Sequence, residues 1–87
     1  MIEKNIEITN PSGLQARMGA LFVQTAGKFT SNIWIAKSEK KVNGKSIMGI
    51  LSLGIGKGTS ITIGAEGEDE NQAVEELISL VQSDYHE

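Results

Sequence analysis

The sequence predicts an α+β fold, an open-faced β-sandwich in which a four-stranded antiparallel sheet carries helices on one face. Segments that alternate with a period of two are interspersed with helical segments in the order βαββαβα. The second and third strands flank a short turn, which favours an antiparallel hairpin. A chain of 87 residues with 39% hydrophobic content supports one core, so we expect a single domain over residues 1–87.

The first half of the chain begins with a strand and continues with a helix. In "IEKNIEI", Ile2, Ile6 and Ile8 share one face at period two, and "TNPSG" then ends the strand. Residues 16–26 form an amphipathic pattern with more apolar surface than one core contact needs. Gly27 suits the end of this helix.

The second half contains three strands and two helices. "NIWIAK" and "KKVN" are strands joined by the turn "SEKK", and "TSITIGAEG" is the fourth strand. In "GKSIMGILSLGIGKG" the apolar residues do not alternate, so we predict a short helix capped by Ser46. "DENQAVEELISLVQS" is the last helix, with Asp69 as its N-cap. Its apolar stripe consists of Ala73, Val74, Leu77 and Val81.

Composition argues against several functional classes. The chain lacks cysteine and its single histidine, His86, is next to last, so we expect neither a metal site nor a histidine-dependent triad, and no cofactor. "NGKS" is not a phosphate-binding loop, because Glu39 stands where that motif needs glycine. The N-terminus has no signal-peptide pattern, which predicts a cytoplasmic protein that does not enter a membrane.

The charge distribution is uneven, although the net charge is only −3. Residues 28–57 hold six lysines and one acid, whereas residues 66–76 hold six acids and no base. Such runs usually form solvated faces. The glycine-rich segment 54–58 raises RNA binding as an alternative, but the negative net charge and four aromatic residues count against it. We therefore expect no direct contact with nucleic acid.

Ser46 and the residues after it allow two interpretations. An N-cap hydroxyl alone would explain Ser46, yet a phosphate there would face a helix start with Lys45 and Lys41 expected nearby. Ile47, Met48 and Leu51 are either core residues or an adaptable apolar docking surface beside Ser46.

A second candidate site lies in "SGLQARMGALF". A glycine-containing loop that enters a helix, with Arg17 in its first turn, favours an anion site. No histidine, cysteine or carboxylate in this turn could react with the bound group. The segment therefore predicts binding rather than catalysis.

Three segments, "SGLQARMGALFVQTAGKF", "KVNGKSIMGILSLGIGKG" and "EGEDENQAVEEL", resemble the HPr family of phosphocarriers over essentially the whole chain. The resemblance implies an open-faced sandwich with two phosphorylation positions, a histidine in the GLxAR loop and the serine of KSIMG. Gln15 stands at the histidine position, and with "ALFVQ" and "EGEDE" this resembles the Crh branch. An amide lacks the nucleophilic nitrogen of imidazole, so phosphocarrier activity is not expected.

For the Crh branch the resemblance implies a regulatory adaptor rather than an enzyme. The serine matching Ser46 is phosphorylated by HPr kinase/phosphorylase, and the phosphorylated form is a corepressor for catabolite control protein A. Arg17 matches the active-site arginine. The positions that match the family's docking face are Ala20, Ile47, Met48 and Leu51.

The sequence departs from the family pattern at two positions in the first turn of the first helix. Met18 stands where the family has proline and Gly19 where it usually has alanine, which predicts a looser helix start. An atypical phosphocarrier component that docks sugar-transport enzymes is the rival function. The oligomeric state is open between a monomer and a weak dimer, including exchange of the first strand between chains.

Overall fold

The computed structural model describes residues 1–11, 13–14 and 16–82. Its elements follow the predicted order βαββαβα. They are β1 (Ile2–Glu7), α1 (Ala16–Ala26), β2 (Asn32–Lys37), β3 (Lys40–Asn43), α2 (Ile47–Ser52), β4 (Ser60–Glu66) and α3 (Glu70–Val81). The predicted short helix and both longer helices are confirmed.

The four strands form one antiparallel sheet in the order β1-β4-β2-β3. Ala65 of β4 shows the register, because it lies opposite Ile2 of β1 on one side and opposite Ile33 of β2 on the other. The β2–β3 hairpin closes through a two-residue turn, because Lys37 pairs with Lys40. This arrangement is the predicted open-faced sandwich.

The core lies between the sheet and the helices. Alternate strand residues are buried on the helix-facing side, and they include Ile33, Ile35, Ile61, Ile63 and Ala65. Their partners from the helices include Met18, Phe22, Ile50 and the predicted α3 stripe of Ala73, Val74, Leu77 and Val81. The other face of the sheet carries Trp34, whose indole lies over Gly64 with no room for a Cβ atom at that glycine.

The start of α3 differs in detail from the prediction. Asp69 occupies the N-cap position but makes no capping hydrogen bond with its side chain. Its carboxylate instead accepts hydrogen bonds from the Thr30 and Ser31 backbone N–H groups at 2.9 and 3.0 Å and from the Ser31 hydroxyl. These donors hold the pKa of Asp69 below its ordinary value, the Ser31 hydroxyl contributing most. Asp69 therefore ties the loop after α1 to the start of α3.

Candidate functional site

A series of hydrogen bonds at residues 44–46 fixes the chain before α2 begins. The Gly44 N–H donates to the Ile33 carbonyl at 2.8 Å, and the Lys45 N–H donates to Asn43 Oδ1 at 2.8 Å. Ser46 then adopts an extended conformation, and its Oγ accepts a hydrogen bond from the Gly49 N–H at 3.2 Å. The predicted N-cap is confirmed, with a half-buried hydroxyl at the first turn of the helix.

Close packing on two sides holds α2, which is too short to be stable alone. On one side a Cβ atom at Gly49 would lie 3.2 Å from Val42 Cβ on β3. On the other side a Cβ atom at Gly19 of α1 would lie 3.4 Å from the side chains of Ile47 and Leu51. The two glycines therefore let α2 sit directly between α1 and β3.

The outer side of α2 is apolar and exposed. Met48 is 76% exposed and Leu51 is 41% exposed, whereas Ile50 between them is completely buried. Ile47 and Ala20 are half-buried. We call Ala20, Ile47, Met48 and Leu51 the apolar face. The sequence left open whether these residues belong to the core or to a docking surface. The exposure of Met48 and Leu51 excludes a core role for these two side chains.

The lysines expected near Ser46 have other partners. Lys41 pairs with Ala36 in register and therefore points to the side of the sheet opposite the helices, where its ammonium lies 4.5 Å from the centre of the Trp34 ring. The Lys45 ammonium donates to the Phe29 carbonyl at 2.8 Å. Strand alternation therefore directs Lys41 to Trp34, on the face of the sheet opposite α2, whereas the expectation that Lys45 lies near a phosphate on Ser46 stays a prediction.

Sequence analysis missed the role of Lys37. The Lys37 ammonium donates to the carbonyls of Leu53 and Gly54 at 3.0 and 3.2 Å, at the end of α2. The only signal available was its position, two residues after Ile35 and four after Ile33, which places it on the helix-facing side of β2.

The loop before α1 is anchored to the segment that follows α2. The Leu14 N–H donates to the Ile55 carbonyl at 2.9 Å. Gly13 has φ 64°, a conformation that favours glycine, and a Cβ atom at this position would clash with the same carbonyl oxygen. Ile55 is buried. The glycine-rich segment 54–58 therefore serves as a turn that supports the loop.

Two of the candidate residues belong to this loop and the first turn of α1. Arg17 is exposed there, and Gln15 lies outside the described residues. Met18, at the position that departs from the family pattern, is completely buried in the core. The structure thus gives Met18 a packing role, while an anion-binding role for Arg17 stays a prediction.

Residues 1–11, 13–14 and 16–82 show neither a membrane-spanning helix nor a cluster of metal ligands. None of the helices there is long and apolar enough to cross a membrane. The same part of the chain contains no group of three or more histidine, cysteine, aspartate or glutamate side chains arranged to hold a metal ion.

Comparison with known proteins places this geometry in a family. The family model described as PTS HPr component phosphorylation site matches residues 2–83. The HPr-like protein Crh of Halalkalibacterium halodurans is 54% identical over 84 residues, which cover 97% of this chain and all of that protein. The chain belongs to the HPr family of the phosphotransferase system, and it is similar to the Crh proteins within it.

Solved structures agree with this assignment. HPr-C-His from Thermoanaerobacter tengcongensis has a TM-score of 0.93 and 55% identity, covering 97% of this chain and 94% of that chain. Crh of Bacillus subtilis has a TM-score of 0.77 and 47% identity with full coverage of both chains, and its crystal structure is described as a dimer with a swapped domain. The predicted fold and the predicted resemblance are both confirmed.

Proposed function

We propose that this protein is a non-catalytic, cytoplasmic adaptor of carbon catabolite repression that is switched by phosphorylation of Ser46. HPr kinase/phosphorylase would add the phosphate, and the phosphorylated form would act as a corepressor with catabolite control protein A. The observation that carries the proposal is the position of the Ser46 hydroxyl at the start of a helix that exposes Met48 and Leu51.

A phosphate on Ser46 is compatible with the local structure. The Gly49 N–H that now donates to Oγ can donate to a phosphate oxygen, and the charge lies at the positive end of α2. In the unmodified protein the Lys41 ammonium lies over the Trp34 ring and the Lys45 ammonium donates to the Phe29 carbonyl, and we expect the phosphate to attract cations of a partner. The phosphate would supply a charge-assisted anchor and the apolar face would supply the desolvated contact area.

The residue at position 15 separates the adaptor from the rival phosphocarrier. Identity to an HPr and to a Crh is nearly equal, 55% and 54%, so overall similarity does not distinguish the two roles. Transfer from a phosphohistidine donor requires a nucleophile in the GLxAR loop, and the amide of Gln15 is not one. Enzyme I should therefore leave the protein unmodified, and acceptance of phosphate from enzyme I would favour the phosphocarrier role.

The Gln15→His variant tests whether the loop itself has lost competence. We expect enzyme I to phosphorylate this variant inefficiently, because Met18 stands in place of the family's proline in the first turn after the loop, a segment no longer selected for transfer. Efficient phosphorylation would contradict that explanation of Met18. It would leave the Ser46 proposal unaffected.

The first experiment is incubation with HPr kinase/phosphorylase and ATP, followed by intact mass measurement and peptide mapping. We expect one phosphate on the protein and none on the Ser46→Ala variant. Ser52→Ala is the matched control, because Ser52 is the other hydroxyl of α2 and donates to the Gly49 carbonyl at 2.6 Å. Loss of the N-cap costs about 1 kcal/mol, so circular dichroism should confirm that Ser46→Ala is folded.

The second experiment measures binding to catabolite control protein A. The phosphorylated protein should bind and the unmodified protein should bind much more weakly. If the kinase experiment shows no phosphorylation, Ser46 serves only as an N-cap and the proposed phosphorylation switch is refuted. Equal binding of both forms would leave docking on the apolar face but remove the regulatory role of Ser46.

The proposal holds for a monomer and for a weak dimer. β1 pairs with β4 and packs on α3, whereas α2 packs on α1 and β3. Exchange of β1 between two chains would therefore leave the surroundings of Ser46 intact. Sedimentation over a concentration series, before and after phosphorylation, decides between the two states.

A further inference from the structure

The end of α2 is held by a lysine from the sheet. Lys37 is the last residue of β2 and shares the helix-facing side of the strand with Ile33 and Ile35. Its half-buried side chain places Nζ 3.0 Å from the Leu53 carbonyl oxygen and 3.2 Å from that of Gly54. One ammonium group thus bridges two consecutive carbonyls where the helix stops.

The two carbonyls lie directly after α2, because Leu53 is its C-cap residue and Gly54 follows. The N–H groups of the same two residues donate to the Ile50 and Leu51 carbonyls of the last turn, so Lys37 holds the segment that closes the helix. A positive charge beside the end of a helix also offsets the negative end of the helix dipole. α2 spans six residues and has no basic residue in its own last turn. Ser46 secures the beginning of this helix, and Lys37 secures its end from another element.

We propose that Lys37 is a positioning residue that fixes the last turn of α2, and with it Leu51, for recognition by the partner. Leu51 belongs to that last turn. Its carbonyl accepts a hydrogen bond from the Gly54 N–H at 3.3 Å, which links Leu51 to one of the two residues that Lys37 holds. Displacement of this turn would move the Leu51 half of the apolar face while Ser46 and Met48 stay capped at the other end. This inference rests on the proposed adaptor function and names a residue on which its docking surface depends.

The test uses a matched pair of lysine variants. Lys37→Met keeps an unbranched apolar side chain and removes the ammonium group. Lys40→Met is the control, because Lys40 lies directly opposite Lys37 in the hairpin, is exposed, and makes no side-chain hydrogen bond or ion pair in the described part of the chain. Lys37→Arg restores a cation and tests rescue.

The first readout is amide hydrogen exchange, which does not depend on any partner. In Lys37→Met the Leu53 and Gly54 amides, which donate to Ile50 and Leu51 carbonyls, should exchange about 5- to 30-fold faster, since a charged hydrogen-bond group is lost. Exchange of the buried Leu77 amide in α3 should not change. Wild-type exchange at Leu53 and Gly54, or equal acceleration throughout the protein, would overturn the inference.

The second readout separates modification from recognition. Lys37→Met should still be phosphorylated on Ser46 to the wild-type extent, but the phosphorylated variant should bind the regulator at least about fivefold more weakly, with recovery in Lys37→Arg and no loss in Lys40→Met. Unchanged binding by phosphorylated Lys37→Met would refute the positioning role. If the phosphorylated wild type itself does not bind, the adaptor function fails, while the exchange experiment still decides whether Lys37 holds α2.

Discussion

The side chains of α2 predict that partner binding and folding stability depend on different residues. Met48 is 76% exposed, so Met48→Ala should change the free energy of unfolding by no more than about 0.5 kcal/mol. Ile50 is completely buried two residues later, and Ile50→Val should cost about 0.5–1.5 kcal/mol. For a domain of this size the second change lowers Tm by about 2–12 °C.

The same two variants should reverse their order in a binding assay. An apolar anchor in an interface typically contributes 1–2 kcal/mol or more, so phosphorylated Met48→Ala should bind the regulator about 5- to 30-fold more weakly. Ile50→Val removes one methyl group that no partner can reach, and its binding should match the wild type once both proteins are folded. Thermal unfolding and titration calorimetry on the phosphorylated proteins give the two quantities independently.

Two outcomes would refute this reasoning. Wild-type affinity of phosphorylated Met48→Ala would show that the apolar face is not the docking surface. A loss of more than about 2 kcal/mol of stability in Met48→Ala would place its side chain in the core, contrary to its exposure. Leu51→Ala provides a second probe of the same face, with a smaller effect on binding expected from its lower exposure of 41%.

Two further predictions concern the sheet and the start of α3. Gly64→Ala would drive a methyl group into the Trp34 ring, so the indole must move. We expect about 1–3 kcal/mol of destabilisation and a red shift of tryptophan emission, and an unchanged spectrum would contradict this contact. The pKa of Asp69 lies below its ordinary value because Ser31 and Thr30 donate to its carboxylate, so its contribution to stability is complete above about pH 4 and is lost as the pH falls through the lowered pKa. Denaturant titrations should therefore show that Asp69→Asn is less stable than the wild type at pH 7 and that this difference shrinks as the pH is lowered below about 4. A difference that stays constant with pH would refute the assignment.

Local patterns were sufficient for the elements and for the cap of α2. The period of two in β2, the non-alternating apolar residues after Ser46 and the stripe in α3 each depend on residues close together in the chain. Asp69 is a case in which the local pattern predicted the position but not the hydrogen-bond partners. Its sequence position is that of an N-cap, and it does precede α3, but the loop after α1 brings Thr30 and Ser31 to its carboxylate. No local pattern contains that contact.

The lysines illustrate a second limit of sequence analysis. Lys37 and Lys41 are four residues apart in one basic segment, yet the hairpin turn places them on opposite faces of the sheet. A count of charges treats them as one cluster. The two-residue turn and its register are what assign Lys37 to the end of α2 and Lys41 to Trp34, so their roles follow from the strand pairing and not from composition.

The loop before α1 and helix α2 both approach Gly19 but have different anchors, which is what the proposed adaptor without phosphate transfer requires. The loop before α1 is anchored through Gly13 and Leu14 to Ile55, after α2 has ended. α2 itself is positioned by Val42, by close approach at Gly19 and by Lys37. Under the proposed function, Gln15 removes the nucleophile that transfer needs, whereas the supports of α2 named above come from other residues. The helix that carries Ser46 would then keep its position, and selection on the regulatory surface could continue without carrier chemistry.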